Sequence, residues 1–170
     1  MSPTRAAALE GMLLSLWLGA SALFTLVVAR AAFAVLPSRT LAGALVGRVL
    51  PVLYLTGIGV GVALVAIEWP SMRERWGRLA AGATIAVACA IAQFYVAPRI
   101  EQLRRAIGGP LEALAAGDPH RAAFGRLHGI SVAWLGIAVV AALVALFLTW
   151  RALDVRPASG SPTPTIQTNG

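Results

Sequence analysis

Four uncharged stretches limit what this chain can fold into: residues 11–29, 49–67, 79–97 and 130–150. The first three are 19 residues long and the last is 21. At a rise of about 1.5 Å per residue, a helix of that length crosses a hydrocarbon layer of about 30 Å. Composition agrees: 58% of the residues are hydrophobic, and the charged share of 12% is about half that of a soluble domain. Mean hydropathy is +0.78. The pattern predicts an all-α fold, an integral membrane four-helix bundle.

The first apolar run is too long for the core of a signal peptide, and no small-x-small cleavage site precedes a polar mature chain. It is therefore read as retained. Helices are predicted over about 6–35, 41–67, 72–98 and 119–150. Pro37 stops the first and Pro98 the third. Ser38 or Thr40 caps the second, and Pro51 kinks it or marks the point where it enters the membrane. Ser71 caps the third, and Asp118 with Pro119 opens the fourth. Between them, residues 99–118 form an amphipathic connection on the membrane surface, with Ile100, Leu103 and Ile107 at helical spacing. Residues 152–170 contain too little apolar surface to pack and are expected to be a disordered tail.

All fourteen basic residues are Arg, against seven acids, for a net charge of +7. They are scattered between apolar runs and not clustered on one face, so headgroup anchoring is expected and nucleic acid is not. Trp69 and Trp76 belong to an interfacial belt. Eight arginines fall on the side of the first and third connections and six on the other. That excess places the long connection in the cytoplasm and both termini outside. The single cysteine, Cys89, allows no intrachain disulfide and reads as a small packing residue.

The two halves resemble each other. Val28-Ala29-Arg30 matches Val96-Ala97-Pro98, and Gly47-Arg48 matches Gly125-Arg126. Gly57-Ile58 and Leu64-Val65-Ala66 match Gly136-Ile137 and Leu143-Val144-Ala145. Two duplicated helical hairpins would give this pattern, in the parallel arrangement of some transporters. Chance similarity in a chain rich in Ala, Leu and Val is the open alternative. Duplication would put Arg48 and Arg126 at one depth, with Arg30 and Arg99 beside them around one mouth of the bundle.

The candidate polar mouth comprises Arg30, Arg48, Tyr54, Arg99, Arg126, His128 and Ser131. Phe124, His128, Ser131 and Leu135 share a helix face. Polar groups just inside a membrane edge usually face protein, because lipid cannot satisfy them. His128 and Ser131 could thus form part of a small ion, proton or metal site; the plainer reading is a histidine hydrogen-bonded to a neighbouring helix. Arg30 either snorkels to the headgroups or faces the bundle and binds an anion; snorkelling is the plainer reading. Gly57 and Gly61 form a GxxxG pair that permits close helix packing. The acidic residues all fall outside the four uncharged cores, so no carboxylate relay through the bilayer centre is expected. No nucleophile–base set, zinc motif or phosphate loop occurs. The chain is expected to be no enzyme and to carry no cofactor.

LWLGASALFTLVVARAAFAVLPSR, AGALVGRVLPVLYLTG, YVAPRIEQLR and FGRLHGISV together resemble the transmembrane protein 205-like family. Val96-Ala97-Pro98-Arg99-Ile100 and Leu127-His128-x-x-Ser131 are the more specific pieces. The resemblance covers about residues 13–148, and Arg30 stands where that family's pattern has a proline. It implies a small four-helix membrane protein whose bacterial members form a domain of unknown function. It carries no catalytic residue, and its eukaryotic relative's link to platinum-drug resistance and vesicle traffic points towards transport or secretion. The expected setting is a bacterial inner membrane. Two roles compete: a binding or transport component with an Arg- and His-lined mouth, or a structural or accessory subunit packing on another membrane protein, or on a second copy, through Gly57 and Gly61. A metal- or haem-dependent redox protein is the remote third.

Overall fold

The computed structural model describes residues 3–115 and 117–154. Four helices are long and apolar enough to cross a membrane: α1 (Thr4–Val35), α2 (Arg39–Glu68), α3 (Arg75–Ile107) and α4 (Pro119–Leu153). No strand occurs among the described residues. The helices pack in a closed ring, α1 on α2, α2 on α3, α3 on α4 and α4 back on α1. Their outward faces carry Leu16, Leu26, Val52, Val87, Val140 and Phe147, all exposed as lipid would require.

Each helix buries a narrow stripe with alternating steps of three and four. On α1 the stripe is Leu14, Trp17, Ser21 and Phe24; on α2 it is Tyr54, Gly57, Gly61 and Leu64. Ile85, Cys89, Ala92 and Val96 form it on α3, and Ser131, Leu135, Ala138, Ala142 and Ala145 on α4. Small residues let the axes approach. A Cβ on Gly61 would lie 2.6 Å from the backbone of both Ala86 and Gly82, and one on Gly57 would lie 2.6 Å from the Cys89 sulfur. The glycine pair thus faces inward, against α3 and Trp17. An accessory role through Gly57 and Gly61 has no free surface there and would need another face.

Several hydroxyls in the spans are satisfied locally. Ser21, Thr25 and Thr84 each donate to the carbonyl four residues back, at 2.7–2.8 Å. Buried Trp17 donates its indole N–H to the Leu53 carbonyl at 3.1 Å. Ser38 caps α2 by accepting from the Leu41 amide at 3.2 Å. Asp118 opens α4, accepting from the His120 amide at 2.7 Å. Pro51 lies within an unbroken α2.

Pro98 does not end the third helix, contrary to expectation. A wide π turn, Ile91–Val96, directly precedes Ala97-Pro98, and the Ala97 amide reaches back five residues to Ala92. This resets the register, so Pro98 falls in a first turn, where its missing N–H costs little. The helix then continues as residues 97–107 and stops at Gly108, which is left-handed at φ 63°. The amphipathic part of the connection is therefore an extension of α3. Only 108–118 is a true connection, holding one 3-10 turn, Leu111–Ala113. At the other end, α4 runs on to Asp154, three residues into the expected tail. The rest of that tail and the Ser71 cap lie outside the residues and side chains described.

A second π turn, Phe24–Val28, directly precedes Ala29-Arg30. The two π turns thus sit at the positions matched between the halves. Shifting α1 by 68 residues, the offset of Val28 to Val96, carries buried Glu10, Leu14, Trp17, Ser21 and Phe24 onto buried Arg78, Gly82, Ile85, Cys89 and Ala92. The other two helices do not follow their sequence match. Gly57 and Leu64 are buried, whereas their counterparts Gly136 and Leu143 are exposed.

Candidate functional site

The mouth predicted near the long connection comes together only in part. Tyr54 and Ser131 do meet: both are buried, and their hydroxyl oxygens are 2.9 Å apart. The contact joins α2 to α4 at the edge of the packed core that holds Tyr54 and Leu135. Arg30, Arg48, Arg99, Arg126 and His128 are exposed. Arg30 has the exposure that snorkelling requires. Arg99 folds back on its own helix, 3.3 Å above the Tyr95 ring, and donates to the Tyr95 carbonyl at 2.8 Å. His128 does not reach a neighbouring helix. Its ring is parallel to that of Phe124, with centroids 6.5 Å apart, one helical turn away on the same helix.

Arg104 is the basic residue that bridges helices at this end. Its guanidinium donates to the Gly43 carbonyl at 3.1 Å and lies 5.5 Å from the Phe124 ring. Thr40 donates its backbone N–H, at 2.9 Å, and its hydroxyl to the Glu112 carboxylate. That pairing holds the exposed Glu112 carboxyl below its ordinary pKa. The amide of His120 does the same for Asp118.

The opposite end holds what the sequence reading missed. Glu10 of α1 and Glu68 of α2 are completely buried, and Arg78 of α3 nearly so. One guanidinium serves both acids: its two terminal nitrogens lie 3.3 Å from Glu10 Oε2 and 3.0 Å from Glu68 Oε1. Thr149 of α4 completes the set, its hydroxyl donating to Glu10 Oε2 at 3.3 Å. Every helix contributes one member. Arg75, at the non-helical kink that begins α3, approaches Glu68 Oε2 only to 3.7 Å and is partly exposed. Glu10 Oε1 and both Glu68 oxygens are buried without a hydrogen bond among the described residues.

The signal for this site lay in the register. Glu10 continues the buried stripe of α1 one step past Leu14, Glu68 that of α2 past Leu64, and Thr149 that of α4 past Ala145. Arg78 lies seven residues, two turns, before Ile85.

A groove of about 510 Å³ runs beside the cluster between α1 and α4. Small residues of α1, among them Ala7, Gly11 and Ser15, form one wall. Leu146, Thr149 and Trp150 of α4 form part of the other. Thr149 therefore borders the groove and touches Glu10 at once. No three His, Cys, Asp or Glu side chains converge as metal ligands among the described residues.

Comparison with curated proteins and with solved structures finds no significant match. Residues 12–108, most of α1 with all of α2 and α3, match the model of a protein family described as a domain of unknown function, DUF4149. On that match, the chain belongs to the DUF4149 family.

Proposed function

We propose that the protein is a small binding or transport component of a bacterial inner membrane, without enzymatic activity, and that its solute is an amphipathic organic cation. The observation that carries this reading is the double role of Thr149, which lines the apolar groove and hydrogen-bonds the buried Glu10. An apolar body fits between α1 and α4. An ammonium head is favoured at the inner end, where the three fully buried charges, Glu10, Glu68 and Arg78, sum to minus one. Ionisable groups inside a membrane span are costly and usually mark a ligand or ion path. The exposed arginines of the other end anchor the bundle in phosphate headgroups in this reading. The arginine count favours the long connection in the cytoplasm, with the groove towards the outer surface. The resemblance to the transmembrane protein 205-like family, whose relative is linked to traffic and drug resistance, supports a transport role. Its Leu127-His128-x-x-Ser131 piece lies beyond the stretch matched by the family model. The bilayer is the surrounding partner, and no nucleic acid is involved.

A photoreactive dodecylamine tests the reading on protein in nanodiscs. Crosslinks are expected on α1 and α4 along the groove, saturable and displaced by unlabelled dodecylamine but not by dodecanol. Thr149→Val should weaken them severalfold, and Leu146→Trp, which fills the groove, should abolish them. Equal displacement by the alcohol, or labelling unchanged in both variants, would refute the assignment.

A further inference from the structure

The buried cluster has a charge problem that its own geometry states. Two carboxylates share one guanidinium, and three of their four oxygens accept no hydrogen bond among the described residues. Within the packed helices, like charges held against one guanidinium disfavour ionising both acids. Among the described side chains, the groups facing the pair can be named helix by helix. α1 brings Glu10 and α2 brings Glu68. α3 brings Arg78 in full contact and Arg75 at 3.7 Å, partly in water. α4 brings the neutral Thr149, while its Arg151 is exposed 5.7 Å from the Phe147 ring.

A metal ion does not fit the space between the acids, because the Arg78 nitrogens already stand there, 3.0–3.3 Å from the oxygens. A proton needs no such room. It also turns an unsatisfied acceptor into a donor, which repairs a buried polar atom and the charge imbalance in one step.

We propose that Glu10 and Glu68 form a proton-binding site that holds one proton between them at neutral pH. The proton comes from water at the near face of the bundle. One O–H bond forms on one carboxylate oxygen, and no other bond changes. Arg78 is the fixed counterion of the remaining charge, and Arg75 is a weak, water-screened second one. The inference shares the cluster with the solute reading but needs neither the groove nor a solute. Should both hold, proton and ammonium compete for the same uncompensated charge.

Infrared difference spectra of the full chain in nanodiscs, with no amine present, test the proton site directly. The wild type is expected to show a protonated-carboxyl C=O band at pH 7 that disappears at alkaline pH. Glu10→Gln and Glu68→Gln each leave one acid opposite Arg78, a balanced pair, so both should fold and both should lose the band. Loss in one alone assigns the proton to that residue. Glu112→Gln, at the far end, should leave the band unchanged. Absence of the band from the wild type, including the case where it appears only in Arg75→Gln, would overturn the proposal, as would its survival in both acid variants. Failure of amine crosslinking with the band intact would remove the solute reading and leave the proton site standing.

Discussion

The two ends of this bundle carry similar residue types and treat them in opposite ways. At the end of the long connection, the arginines and histidine of the expected mouth lie on the outside, and Arg99 folds onto its own helix over Tyr95. At the end where α1 begins and α4 finishes, two acids and an arginine point inward, and with Thr149 the cluster draws on all four helices. Much of the difference comes from rotation around each helix. Arg126 falls off the stripe that Ser131 begins, while Glu10 and Arg78 fall on theirs. His128 keeps the spacing of that stripe, three residues before Ser131, and is exposed all the same, so phase alone does not decide. A charge at a membrane edge is an anchor or a site according to its helical phase and to how far the packed core reaches.

The largest expected effect comes from removing the shared counterion. Arg78→Met leaves Glu10 and Glu68 buried with only the partly exposed Arg75, 3.7 Å from Glu68, as counterion and should cost about 3–5 kcal/mol. The Glu10→Gln/Glu68→Gln/Arg78→Met triple variant removes every charge together and should recover most of that loss. Unfolding in mixed micelles with increasing SDS, followed by circular dichroism, measures both. A loss from Arg78→Met within about 0.5 kcal/mol, the range of an ordinary surface change, would show that this end is no more buried than the other.

The buried hydroxyl pair nearer the opposite end gives a smaller effect. Tyr54→Phe deletes the hydroxyl that meets Ser131 at 2.9 Å and keeps the ring. Helix-to-helix hydrogen bonds in membranes average about 0.6 kcal/mol, and a loss of that size is expected by the same unfolding assay. A loss as large as that from Arg78→Met would erase the contrast between a charged and a neutral cluster.

The spans could be read from the sequence because lipid asks for length and lack of charge, and both are local properties. Their contacts were less accessible. Pro98 reads as a stop until the π turn before it is known, and that turn depends on the packing of Ala92 and Val96 against the other helices. The meeting of Tyr54 with Ser131 depends on how two helices rotate about their axes, although each residue was marked separately as polar and membrane-edge. The Glu10 cluster was within reach. Glu10 and Glu68 stand one residue beyond the uncharged cores, and measuring them by that edge assigned them to the surface. Following the steps of Leu14, Trp17, Ser21 and Phe24 backwards would have placed Glu10 inside. The groove was not within reach, since it arises where small residues of α1 happen to face large ones of α4. Likewise, Gly57 and Gly136 match in sequence but lie on differently directed faces, which no pairwise match reveals.

The smallest expected effect belongs to the exposed acid that ties the long connection to α2, and it is a pH effect. Thr40 donates both its hydroxyl and its amide to Glu112, and these bonds favour the ionised carboxyl. Its pKa is therefore lower when the connection is docked than when it is free. Docking gains its full contribution above the ordinary value of about 4.5 and loses it as pH falls through the lower docked value. Hydrogen exchange at the Thr40 amide, corrected for the intrinsic rate, should accelerate across that acidic window. In Glu112→Gln, which keeps an acceptor but no charge, exchange should be faster at neutral pH and flat below it. Equal protection of the wild type at pH 7 and pH 3 would mean that the neutral acid serves as well as the carboxylate. The buried end would then be the part of the molecule in which ionisation matters to structure.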